Sequence, residues 1–77
     1  MVSQYLVVEC PGIYGFMANY GNRTVILLGL IRGTSLDVEV KIEKHGKISW
    51  VKMVDLQLSS EKVLQIGRVA MSKLPLG

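Results

Sequence analysis

One cysteine, Cys10, and one histidine, His45, are all that 77 residues offer of either type. A lone cysteine excludes a disulfide framework within one chain and fits a reducing compartment. One Cys and one His far apart in sequence do not form a metal-ligand cluster, so no metal is expected. Long apolar runs are also missing. The longest, residues 25–31 (VILLGLI), is interrupted by Gly29 and falls well short of the roughly 20 residues of a membrane helix. The opening residues, MVSQYLVVECPG, lack the basic start and apolar stretch of a secretory signal. The expectation is a soluble, cytoplasmic protein without membrane association.

Catalytic patterns are equally scarce. Residues 29–33 (GLIRG) have neither the spacing nor the lysine of a phosphate-cradling loop. Asp37, Glu39 and Glu43 alternate along one segment, as the solvated side of a strand does, rather than converging as an acid–base pair must. Cys10 and His45 could in principle form a nucleophile pair. The simpler reading is a small buried hydrophobe at a strand end and a solvated turn residue. No enzyme and no cofactor is expected.

What the chain has is apolar mass. Hydrophobic residues make up 49% and charged residues only 19%. A chain this short forms one small domain, residues 1–77, and buries only about 60% of its unfolded surface. Some of the apolar surface should then lie outside and be covered by copies of the chain or by a partner. A homo-oligomer is expected ahead of a monomer. The net charge of +3 permits a nucleic-acid partner. It does not demand one, because no two Lys or Arg residues are adjacent.

Along the chain, residues 4–10 (QYLVVEC) read as a strand ended by Pro11-Gly12. Residues 13–20 (IYGFMANY) fit either a second strand weakened at Gly15 or a loop carrying exposed aromatics. After a turn at Gly21-Asn22, residues 23–32 (RTVILLGLIR) predict a buried central strand. Ser59 or Ser60 can cap a helix with Glu61 in its first turn. Val63, Ile66, Ala70 and Leu74 then fall on one face, and Pro75 stops the helix. A further strand over residues 62–71 is the rival.

The clearest pattern is residues 36–58 (LDVEVKIEKHGKISWVKMVDLQL), a hairpin alternating at period two. A two-residue turn at His45-Gly46 would mix polar and apolar side chains on both faces. A three-residue loop, Lys44-His45-Gly46, places Leu36, Val38, Val40, Ile42, Ile48, Trp50 and Val54 on one apolar face, with Trp50 packed on Val40. Lys52 is the exception and calls for a bulge or a sheet edge. The expected fold is mainly β (α+β): a small antiparallel sheet or barrel of four to five strands with one C-terminal helix.

Two groups are candidates for contact with nucleic acid. Lys44, His45 and Lys47 crown the hairpin tip, where they could meet phosphates. Tyr14, Phe16 and Tyr20, near Arg23, could form a stacking platform for single strands. The same residues could instead be a solvated turn and parts of a core or interface.

Short motifs in this order resemble the tryptophan-activated RNA-binding attenuation protein family, rings of small β-subunits. They are residues 3–10 (SQYLVVEC), residues 29–34 (GLIRGT), Glu43-Lys44 with Gly46, and Ser59-Ser60 with Gly67. The resemblance implies that Lys44 matches an RNA-contacting lysine and that Thr34 lies on the ligand loop. This chain departs from the family in several ways. It carries the extra run 13–21, and it has mostly apolar residues at 50–58 in place of a threonine- and glutamine-rich strand that lines a tryptophan pocket. The family's final Lys-x-Arg-Gly has no clean counterpart, and the family has no helix like the one expected here. Tryptophan binding is therefore not carried over.

The functional expectation is a non-enzymatic, small oligomeric binding protein, a nucleic-acid-binding regulator. The alternative is a protein–protein interaction module or inhibitor subunit, and more distantly a small-molecule-sensing ring.

Overall fold

A computed structural model of the chain describes residues 6–77. Six strands and one helix follow in the order β1 (Val8–Glu9), β2 (Met17–Tyr20), β3 (Arg23–Thr34), β4 (Asp37–Lys44), β5 (Lys47–Lys52), β6 (Leu56–Gln57) and α1 (Ser60–Lys73). The strands form one antiparallel sheet in the order β5-β4-β3-β2-β6, with β1 paired to β3. The sheet stays open rather than closing into a barrel. The expected architecture holds. The strand number exceeds four to five because β1 and β6 are strands of only two residues each.

β3 is the axis of the sheet. Its 12 residues are long enough to serve β1 and β2 in tandem on one edge and β4 along the other. Val25, Leu27 and Ile31 point to the helix side and are almost wholly buried. Alternation breaks only in the β4 pairing. Leu27 pairs with Ile42 and Ile31 with Val40, so residues 28–30 stand against Lys41 alone. On the other edge, the Gly29 carbonyl in this bulge accepts a hydrogen bond from the Cys10 amide at 2.7 Å. Of the strand expected at residues 4–10, Gln4 and Tyr5 lie outside the described residues, and only Val8–Glu9 pairs.

Residues 13–20 divide between the two expected states. Pro11–Ile13 form a 3-10 turn that buries Ile13, and Met17–Tyr20 form β2. The helix matches the expectation closely. The Ser59 hydroxyl accepts from the Lys62 amide at 3.3 Å, Glu61 and Lys73 complement the helix dipole, and Pro75 follows the end. Ile66, Ala70 and Leu74 are buried, whereas Val63 remains exposed. Ile66 is buried in one cluster with Ile13, Leu27 and Ile31, which joins helix to sheet; side chains of this size contribute about 1.5–3 kcal/mol each. Lys62 Nζ donates to the Gly12 carbonyl at 3.1 Å. At the other end Ser35 donates from its amide to the Pro75 carbonyl and from its hydroxyl to that of Leu76. The helix is thus moored over one end of the sheet, and the other end is left open on that side.

The hairpin register differs from the expected one. Lys44 pairs with Lys47, Glu43 with Ile48, Ile42 with Ser49, Lys41 with Trp50 and Val40 with Val51. The turn is the two-residue His45-Gly46, both at positive φ (51° and 79°), the geometry whose twist suits a hairpin. Leu36, Ile48 and Val54, expected on one apolar face with Val40 as core or interface, leave that face and are 81%, 59% and 80% exposed. Trp50 does not pack on Val40. It lies on the face away from the helix, with the Arg32 guanidinium 4.4 Å and the Lys41 ammonium 5.8 Å from its ring centre. Lys52 ends the edge strand β5, opposite Glu39 and 3.7 Å from Asp37 Oδ2. The edge expected there is present, while the bulge sits in β3. The apolar alternation misleads because β5 is an edge strand beyond the helix. Of its helix-side positions only Val51 reaches the core.

Candidate functional site

Two hairpin tips stand side by side at the end of the sheet that the helix leaves open. One is the β2–β3 turn at Gly21-Asn22; the other is the β4–β5 turn at His45-Gly46. Between them lies a cleft of about 530 Å³ lined by Tyr20, Arg23, Val25, Ile42, Lys44, His45, Lys47, Ile48 and Ser49. Register explains who meets whom. Tyr20 pairs with Arg23 across the first hairpin and Lys44 with Lys47 across the second. Val25 and Ile42 are buried core residues and form an apolar floor.

Five of the seven candidate residues therefore share one cleft: Tyr20, Arg23, Lys44, His45 and Lys47. Tyr14 and Phe16 do not join them. Tyr14 is exposed and borders a separate shallow hollow with Glu9, Pro11, Leu28, Gly29 and Leu30. Phe16 packs against the core, with Lys62 Nζ 5.0 Å from its ring centre. A three-aromatic platform does not form, and Tyr20 alone presents a ring beside the cations. Ile48, Ser49 and the floor residues Val25 and Ile42 are the part that sequence reasoning missed. The two-residue register, which sets Ser49 opposite Ile42, was the signal for them.

The electrostatics are one-sided. Among the described residues no carboxylate lines the cleft, and Arg23, Lys44 and Lys47 form no ion pair with any of them. Lys44 is half-buried. Loss of hydration, and then the like charges of Arg23 and Lys47, hold its ammonium below the ordinary lysine range. Four of the six carboxylates that could offset this charge are on the other face of the sheet. There the strand registers place Glu9, Asp37, Glu39 and Glu43 with Arg32, Lys41 and Lys52, four carboxylates against three cations. Those seven side chains sum to about −1, which leaves +4 of the net charge of +3 for the rest of the chain.

A second hollow, of about 300 Å³, lies between the 3-10 turn and α1 and is lined by Cys10, Pro11, Gly12, Gln65, Arg68 and Val69. Cys10 is buried there, and burial raises its thiol pKa against the smaller opposing pull of Lys62. Among the described residues no three His, Cys, Asp or Glu side chains converge on a point where a metal ion could be held, and no helix is long and apolar enough to cross a membrane. No family model matches the chain, and neither a curated protein nor a solved structure does.

Proposed function

We propose that the protein is a non-enzymatic regulator that binds single-stranded nucleic acid in the cleft between the two hairpin tips. The observation that carries this reading is the gathering of Arg23, Lys44, His45 and Lys47 around one cleft with Tyr20 and an apolar floor. The cations can meet phosphate oxygens, and a base can stack on the tyrosine ring. The placing of four of the six carboxylates on the opposite face supports the same side of the molecule, since an anionic strand is drawn to the face that lacks them. The likeness of Glu43-Lys44 and Gly46 to the RNA-contacting segment of the attenuation protein family points to the same hairpin tip.

Self-association and a cytoplasmic setting belong to the same reading. The first is supported by the exposed apolar residues of the open face and the second by the single cysteine. The test is titration with single-stranded RNA and DNA oligonucleotides at two salt concentrations. Binding is expected to weaken as salt rises, with log K falling at a slope of about −2 against log salt for three phosphate contacts. Absence of binding at low salt overturns the reading.

A further inference from the structure

The cations of the cleft are isolated from the remaining basic residues. Arg32, Lys41 and Lys52 are on the opposite face among the carboxylates, and Lys62 is engaged with the Gly12 carbonyl and the Phe16 ring. Arg68 and Lys73 are on the helix. No basic track therefore leads out of the cleft for a strand's backbone to follow. Proteins that hold a strand along its length combine such a track with repeated stacking positions, and here a single ring, Tyr20, borders the cations. A cleft of this volume is of the size that encloses one small ligand.

The charge within it is also more than a chain phosphate would use. A phosphodiester carries one negative charge. A phosphate monoester carries about −1.5 to −2 at pH 7 and presents three acceptor oxygens. Arg23, Lys44 and Lys47 offer three cationic groups around one space, with no carboxylate among its lining residues. The like charges of Arg23 and Lys47, which add to the loss of hydration in lowering the Lys44 pKa, are offset best by the dianion.

Building on the nucleic-acid reading, we infer that the cleft recognises the phosphorylated end of a single strand. The terminal phosphate monoester sits among Arg23, Lys44 and Lys47, and the terminal base lies against Tyr20 above Val25 and Ile42. The rest of the strand leaves through the open mouth and makes few contacts. His45, at the turn beside Lys44, adds a ring N–H donor to the phosphate.

The test uses the full chain and a short RNA labelled at an internal position, prepared with a 5′-phosphate, with a 3′-phosphate or with hydroxyls at both ends. Fluorescence anisotropy is expected to show one phosphorylated form binding at least about tenfold more tightly than the hydroxyl form, the equivalent of one charge-assisted hydrogen bond. Lys44→Gln and, separately, Arg23→Gln should erase that difference, while Lys73→Gln on the helix should retain it. Circular dichroism confirms that each variant is folded. A mononucleotide monophosphate should compete, and inorganic phosphate should compete more weakly because it lacks the base. Equal, salt-dependent binding of all three RNAs overturns end recognition and leaves the nucleic-acid reading standing. Binding of the mononucleotide without any RNA overturns both the strand and that reading. No binding by any probe overturns everything assigned to the cleft.

Discussion

Cys10 shows how much one buried side chain ties to its surroundings. It closes the short strand β1, its amide donates to the Gly29 carbonyl in the bulge, and its thiol is almost wholly buried. Burial raises the thiol pKa above its ordinary value of 9.0, because a thiolate cannot recover its hydration in an apolar site. The sign of the pH effect follows. The folded state keeps a proton that the unfolded state releases, so stability falls as pH rises through 9.0 and beyond. Chemical denaturation of the wild type and Cys10→Ala between pH 7 and pH 10 should show the wild type losing stability more steeply, against a loss of about 1 kcal/mol for the variant at neutral pH. Parallel pH profiles would refute the assignment. At this scale much of the site was legible in the sequence. Arg23, Lys44, His45, Lys47 and Tyr20 were visible as cations and a ring near turns, because turns expose what they carry. Tyr14 and Phe16 have the same composition and the same neighbourhood, but the 3-10 turn at Pro11–Ile13 sends the segment that follows elsewhere.

Among the elements, α1 and the β4–β5 hairpin teach opposite lessons. The helix was legible to within a residue because its signals are local: a capping serine, an acid in the first turn, apolar residues at helical spacing and a closing proline. The apolar alternation of the hairpin points to the wrong register because it assumes that both strands have a core to face. β5 has almost none. Its outer face instead gains the Arg32–Trp50–Lys41 stack, and cation–π contacts of this kind contribute about 0.5–1 kcal/mol at exposed sites. His45 accepts a positive φ that few residues other than glycine adopt, with histidine among the tolerant ones. The β3–β4 hairpin depends on backbone geometry that leaves no trace in periodicity. Gly33 has φ of 102°, and a Cβ there would lie 2.4 Å from the Asp37 carbonyl oxygen. Because the obstacle is backbone, relief requires moving the strand pair itself. Gly33→Ala is expected to lower stability by about 2 kcal/mol or more, read by urea denaturation. A loss within a few tenths of a kcal/mol would mean that the hairpin closes without this conformation.

The whole molecule is a two-layer object with one layer covered once. α1 seals the helix side of the sheet, and the opposite face carries a row that crosses four strands: Met17, Ile26, Glu43 and Ile48 are successive partners. Its three apolar members are 62%, 38% and 59% exposed. Leu28 and Leu30, half-buried beside the bulge, extend the patch. Domains bury such faces against another layer, and the described residues supply no second layer for it. The best-suited occupant is a second copy of the same face. Four carboxylates and three cations nearly cancel there, so two copies related by a two-fold axis do not repel one another, and Arg32 and Glu39 are already neutralised by their 2.6 Å ion pair. Edge-to-edge pairing through β5 is disfavoured by comparison, because an antiparallel match of β5 with itself sets Lys47 against Lys52. Face-to-face association would also leave the cationic clefts on the two outer sides, where each could take the strand end proposed for it. Native mass spectrometry at micromolar concentration is therefore expected to give a mass of two or more chains. Ile26→Lys, which places like charges across the two-fold axis, should reduce it to one without loss of helix and sheet signals in circular dichroism. Ile48→Lys, on the edge strand where the fold is most tolerant, should do the same. Phosphate-end binding should survive in the Ile26→Lys monomer, since the cleft is complete within one chain. A wild type that is already monomeric, or an Ile26→Lys variant that still associates, removes this face as the site of assembly.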